Sequence, residues 1–281
     1  MAASVKLIVD STTDLPAEWL ARWDIPVWAA YINFGEESIP DDGVSITKDE
    51  FYRRLAVASE LPRTSAPAPG TAEALVRRQL ARAEHVVFFT VASQFSSIYN
   101  TVLFAAREID PKRVTVVDSG QVTMALGWMV AAAAEAAERG AGVEEVLAAA
   151  QSVRQRVRLW AAIDTLEYLQ RSGRVNYWLA SIGTLFQIKP IISVQDGIVS
   201  TVRRVRTMHK ATLTLIDMVR ECAPLERLAV LHTNFPGGAA DLLEKLADVA
   251  PPDTITVNVT TAIGTHVGPG CVGVALVRKA S

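Results

Sequence analysis

Short apolar runs without polar alternation dominate the first half of the chain. KLIVD (6–10), HVVFFTVAS (85–93) and RVTVVDS (113–119) have strand length and read as strands covered on both faces. IPVWAAYI (25–32) reads as another. Helical spacing takes over at 47–59, where Thr47 and Glu50 have the separation of a capping box. It returns at 96–109 and in the alanine-rich stretch 123–139. Gly140 and Gly142 then break the chain before a helix over 143–157. Strands alternating with helices predict an α/β unit with a parallel sheet.

The second half has a different texture. Strands are predicted at 156–163, 188–194, 227–233, 254–260 and 271–277. Residues 197–207 alternate more clearly, as a half-exposed strand does. Helices are predicted at 164–171, 175–185, 207–221 and 237–248. The expected organisation is two domains, an N-terminal Rossmann-like parallel-sheet α/β domain over 1–155 and a C-terminal α/β domain over 156–281. The second sheet should be mainly antiparallel or mixed. The stretch TTAIGTHVGPGCVG (260–273) reads as a strand-like tail interrupted by a turn at Gly268, Pro269 and Gly270.

Composition narrows the class. The 281 residues are 50% hydrophobic and 21% charged, which excludes a disordered chain. A net charge of −2 gives no electrostatic reason to expect nucleic acid. The two cysteines, Cys222 and Cys271, form no CxxC, and a reduced cytoplasmic protein is the simplest expectation. The longest apolar run, MALGWMVAAAA, is too short to span a bilayer. No metal-ligand spacing relates His85, His209, His232 and His266, so no metal and no cofactor are expected. GxGxxG, the P-loop pattern and GxSxG are absent.

In an open α/β sheet, ligands sit beyond the carboxyl ends of the strands. KLIVD runs into Ser11, Thr12, Thr13 and Asp14. The strand at 85–93 runs into Ser93, Ser96 and Ser97, and that at 113–119 ends on Ser119. Such residues serve equally as helix caps. Ser96 can do both, since a hydroxyl beside free N–H groups at a helix start favours an anion. In PRTSAPAPG, Pro62, Pro67 and Pro69 exclude a helix and stiffen the backbone that holds Thr64 and Ser65. Asp164 and Glu167 have capping-box spacing, and Gly173 signals a helix stop. Arg174 suits either a carboxylate or phosphate contact or a solvated cap. His266, with Thr265 beside it, sits among glycines that allow close backbone approach.

These segments resemble the DegV family of bacterial fatty-acid-binding proteins. The resemblance is carried by VDSTTDLP (9–16), TSAPAPG (64–70), FSSIYN (95–100), VVDS (116–119), LEYLQRSGRV (166–175), IKPII (188–192), DGIVSTVRRVRT (196–207) and IGTHVGPG (263–270), in order across nearly the whole chain. It implies one long-chain fatty acid, such as palmitate or oleate, in an apolar tunnel near the interface of two domains. Thr64, Ser65, Ser96 and His266 would hold the carboxylate, with Arg174 and Thr265 in the head-group network. The resemblance further implies a non-catalytic subunit that presents the acid to an ATP-binding fatty acid kinase subunit, which makes acyl phosphate, and it allows transient membrane contact.

Departures from the family pattern lie around the hydroxyls. Ser97 and Ile98 replace a glycine and a threonine, and Ala66 and Ala68 replace polar residues. Candidates for the tunnel wall are Ile182, Leu185, Phe186, Ile188, Ile191 and Ile192, although a core would use the same residues. Arg203, Arg204 and Arg206 are candidates for docking the partner, or form a solvated edge. The rival readings are a serine-dependent acyl ester hydrolase using Ser96 and His266, and a sugar- or phosphate-binding α/β domain.

Overall fold

The computed structural model describes residues 3–172 and 188–280. Its first sheet is fully parallel, in the order β2-β1-β6-β7: β1 (Ala3–Asp10), β2 (Val27–Trp28), β6 (Ala83–Thr90) and β7 (Val114–Asp118). The connections run outward in opposite directions from the β1–β6 pair, so a crevice opens beyond the carboxyl ends of these two strands. A small antiparallel sheet, β4-β3-β5, stands beside it, made of β3 (Tyr31–Phe34), β4 (Glu37–Pro40) and β5 (Arg63–Ser65). The helices of this region are α1 (Ala17–Arg22), α2 (Lys48–Val57), α3 (Pro69–Leu80) and α4 (Ile98–Ile109).

The second large sheet has six strands, in the order β10-β9-β8-β13-β11-β12. They are β8 (Val157–Ala162), β9 (Lys189–Gln195), β10 (Ile198–Val205), β11 (Leu225–His232), β12 (Ile255–Asn258) and β13 (Val272–Arg278). It is mixed: β11 and β12 pair in parallel and the other neighbours run antiparallel. With it come α7 (Glu167–Arg171), α8 (Met208–Arg220), α9 (Pro236–Lys245) and α10 (Thr261–Val267).

Between the two sheets lie α5 (Thr123–Glu138) and α6 (Val143–Arg156). One continuous buried cluster joins Leu7, Val9 and Phe89 of the parallel sheet, the α5–α6 pair, and Leu159, Leu231 and Ala275 of the mixed sheet. This explains the alanine-rich sequence of α5. A helix packed on both sides must be apolar all round, and small side chains let both sheets approach. Trp128 reaches from α5 to donate its indole N–H to the Ala275 carbonyl at 3.0 Å. The opposite faces are covered separately: Ile8, Val86 and Phe88 pack beneath α2, α3 and α4, and Val230, Val274 and Leu276 beneath α8 and α9. Both large sheets are therefore sandwiched, which accounts for strands without polar alternation.

Several expectations need correction. IPVWAAYI is not one strand. Val27 and Trp28 pair with β1, the chain then turns, and Tyr31 begins the small sheet. The turn is held by the Ala30 N–H, which donates to Ser11 Oγ, and by the Ala30 carbonyl, which accepts from Asp41 N. Pro69 does not exclude a helix but starts α3, because a proline in the first turn removes an N–H that has no intrahelical partner anyway. Thr47 does cap α2, accepting the Glu50 N–H at 3.2 Å, but the Glu50 carboxylate binds Arg53 instead of closing the box. Asp164 does not cap α7, whose Glu167 N–H goes to Thr165 Oγ1. Asp164 accepts from Lys189 Nζ. The segment 261–267, expected as part of a strand-like tail, is the helix α10.

Gly273 stands opposite Ala161 on β8 in the mixed sheet. A Cβ there would stand 2.6 Å from the Trp160 carbonyl oxygen. Gly273→Ala should therefore destabilise the fold by about 1–3 kcal/mol, the usual range for an overpacked core. Urea denaturation followed by tryptophan fluorescence measures it, and an unchanged midpoint would show that β13 shifts at no cost.

Candidate functional site

A cavity of about 720 Å³ opens between the two large sheets, within the size range of small-molecule sites. Its wall is mainly apolar. The mixed sheet supplies Leu159, Ala161, Ile192, Val194, Val199 and Leu231, while Ile263 and Val267 come from α10. At one part of the wall the hydroxyl-bearing segments after β5 and β6 meet α10. Thr64, Ser65, Ser96 and His266 all line the cavity, although 202 positions separate Thr64 from His266.

Thr64 and His266 are in direct contact, with Oγ1 2.9 Å from Nε2. Ser96 Oγ accepts the Ile98 N–H at 3.2 Å, at the start of α4. Ser65 Oγ accepts from Asn33 Nδ2 at 3.1 Å. Several other polar residues on the wall bond within the protein. Thr12 donates to Asp10, Thr123 to Asp14 and Ser93 to Asp118, and Thr233 Oγ1 accepts the Cys271 N–H. Thr64, Ser96 and His266 form a polar grouping on a mainly apolar wall.

Some predicted residues stand elsewhere. Thr265 is buried, and its hydroxyl donates to the Thr261 carbonyl within α10, so it supports the helix and not the cavity wall. Ile191 points to the opposite face of the sheet, beneath α8, because side chains alternate along β9; Ile192 is the one on the wall. Ile188 is half-buried just before β9 and does not line the cavity. Arg174, Ile182, Leu185 and Phe186 lie outside the described residues. Arg203, Arg204 and Arg206 are exposed on or just after β10, an edge strand of the mixed sheet.

Sequence reading missed most of the wall. Leu159, Ala161, Val194 and Val199 carry no signal that separates them from core. Ser119, weighed as a helix cap, instead closes a turn with Gln121. Asp14 is a cap, but of a helix far away in sequence: it accepts the Thr260 N–H at 2.8 Å. Asp41, which no motif marked, accepts from both Thr261 N and Thr261 Oγ1, at 3.2 and 2.6 Å. The glycines of IGTHVGPG now have a reason. A Cβ on Gly264 would meet Tyr52 Oη at 2.5 Å. One on Gly268, where φ is +73°, would meet the Tyr168 ring at 2.1 Å. Glycine lets α10 lie flush against α2 and α7.

Burial governs the titration of the acidic groups around the cavity. Burial pushes the Cys271 thiol up to about 11, so it stays protonated. Ser96 makes no hydrogen bond to His266 among the described residues, and a nucleophilic serine needs such a base. Burial also raises the Asp41 carboxyl to about 6 and that of Asp14 to about 7, with Lys48 opposing the rise at Asp14. Among the described residues, no group of three or more His, Cys, Asp or Glu is placed to hold a metal, and no helix is long and apolar enough to cross a membrane.

Residues 4–279 match the sequence pattern of the family described as "Uncharacterised protein, DegV family". A DegV domain-containing protein of Streptomyces coelicolor is 33% identical over 285 residues, covering 98% of this chain and 99% of that relative. A Thermotoga maritima protein named as a fatty acid-binding protein is 32% identical over 281 residues, 96% of each chain. The solved structure of a DegV family protein from Thermus thermophilus, described for its fatty acid binding, superposes with a TM-score of 0.91 at 28% identity, covering 99% of this chain and all of the other.

The raised carboxyl of Asp14 makes a testable sign. The folded chain holds this proton up to about pH 7, whereas an unfolded aspartate releases it near 3.8. Stability from this group is therefore full below pH 4 and is lost as pH rises through 7. Asp14→Asn keeps an oxygen for Thr260 N and does not titrate. It should match the wild type near pH 4 and exceed it by on the order of 2–4 kcal/mol at pH 8. Denaturation midpoints across this range measure the difference, and a gap independent of pH would refute the assignment.

Proposed function

The chain belongs to the DegV family, and we propose that it binds one long-chain fatty acid in the cavity between its two large sheets. The observation that carries this reading is the joining of an apolar cavity of about 720 Å³ to a polar grouping of Thr64, Ser96 and His266 at its wall. The carboxylate lies at that grouping, and the acyl chain lies against Leu159, Val194 and Leu231. The relatives named for fatty acid binding support it. Each buried methylene contributes about 0.8 kcal/mol, so a C16 chain gains on the order of 11 kcal/mol before ordering costs. The tail supplies most of the affinity. The polar grouping sets orientation, through hydrogen bonds to a charged group worth about 1.5–3 kcal/mol each.

The bound acid is then presented to a separate ATP-binding kinase subunit. In that role this chain contributes position, with a carboxylate oxygen as nucleophile, and the partner contributes nucleotide, metal and charge stabilisation. Arg203, Arg204 and Arg206 on the exposed edge strand are the docking candidates for it. Residues 1–155 and 156–281 are the two domains between which the acid is held.

Native mass spectrometry of the purified protein, followed by solvent extraction, tests the first claim. One fatty acid per chain is expected, and failure to carry or take up any fatty acid would remove the reading. His266→Gln should weaken binding of the acid about tenfold or more, with the apolar contribution left in place.

A further inference from the structure

α10 belongs to the second half of the chain by sequence, between β12 and β13, yet the first half caps its start. Its start is met by two carboxylates from different segments: Asp14 accepts from Thr260 N, and Asp41 accepts from Thr261 N and its hydroxyl. Ala262 packs into the cluster beneath the parallel sheet, and Gly264 rests against Phe51 and Tyr52 of α2. Lys48, at the start of α2, donates to the Asn258 carbonyl just before the helix. His266 stands five residues beyond Thr261, bonded to Thr64. A helix rises about 1.5 Å per residue, so the capped end and His266 are only ~7.5 Å apart along a stiff element.

A seven-residue helix has little stability of its own. Its position is set by what receives its first N–H groups. We infer that Asp14 and Asp41 are positioning residues for ligand recognition, which hold α10 so that His266 meets Thr64 and the carboxylate of the bound acid. Their task is to accept hydrogen bonds, and an amide oxygen serves it as well as a carboxylate. Asp14 lies in the left-handed region, with φ 56°, where asparagine is also well tolerated. The inference rests on the fatty-acid reading for its ligand, but the geometry it concerns exists without one.

The test compares hexadecanoic acid with hexadecan-1-ol on delipidated full-length protein, since the alcohol keeps the tail and lacks the carboxylate. The wild type should prefer the acid. Asp41→Ala should reduce that preference about tenfold, to the level of His266→Gln, with little change for the alcohol. Asp41→Asn should restore it, and Asp41→Ala combined with His266→Gln should lose nothing more, because both changes remove the same interaction. Equal weakening of both ligands, or additive losses in the double variant, would overturn the inference. Asp14→Ala with its Asp14→Asn rescue serves the same comparison should Asp41→Ala fail to fold. If the wild type shows no preference for the acid, the fatty-acid reading fails on its own. The side-chain ¹⁵N signals of His266 in ligand-free protein then decide. Movement in Asp41→Ala with recovery in Asp41→Asn supports positioning, and no movement overturns it.

Discussion

Two carboxylates near the start of the chain receive the first N–H groups of a helix that lies 246 and 220 positions later. The cavity depends on this contact. Without it, α10 would have orphaned N–H groups in a buried setting, a cost that buried backbone rarely bears. With it, the helix closes one side of the space between the sheets and brings an imidazole to a threonine of the small sheet. Burying both carboxylates is itself unfavourable to their charged forms, which is why their titration moves toward neutrality.

The rest of the architecture serves the same space. α5 and α6 separate the two sheets along most of their length with small and apolar side chains. Where the helices end, the sheets are not filled between, and the cavity lies there, at the carboxyl ends of β1 and β6. The tip of the β9–β10 hairpin ties the two halves on another side: Gly197 N donates to the Gly120 carbonyl, and Arg154 bridges Asp196 and the Asp118 carbonyl. The wall is thus pinned at several points that belong to different elements.

The cavity's polar residues divide by what they already bind. Thr12 and Thr123 spend their hydroxyl protons on the buried Asp10 and Asp14, and Ser93 donates to the half-buried Asp118, which stabilises the loops beyond the strands. Thr64 and His266 bind each other across the cavity wall. A pair of this kind can exchange its mutual bond for one to a ligand carboxylate without leaving an aspartate unsatisfied. The hydroxyl protons of the other group cannot be withdrawn so freely, because a buried acceptor would lose its partner.

The apolar runs determined most strands of the two large sheets, and alanine-rich patterning determined that α5 is buried, because period and composition report burial directly. The order of the motifs determined the family, and the resemblance pointed to Thr64, Ser65, Ser96 and His266, which line one cavity. What the chain's local pattern did not contain was partnership. Nothing near Thr261 marks a helix there, since its caps are Asp14 and Asp41. Nothing in IKPIIS states that Ile192 faces the cavity and Ile191 the core. IPVWAAYI hides a strand break made by Ser11 and Asp41. In each case the deciding interaction is long-range, and an apolar side chain looks the same from the sequence whether its neighbour is another side chain or a space for a ligand. Tertiary packing alone makes that distinction, because the cavity is what the packed elements leave unfilled.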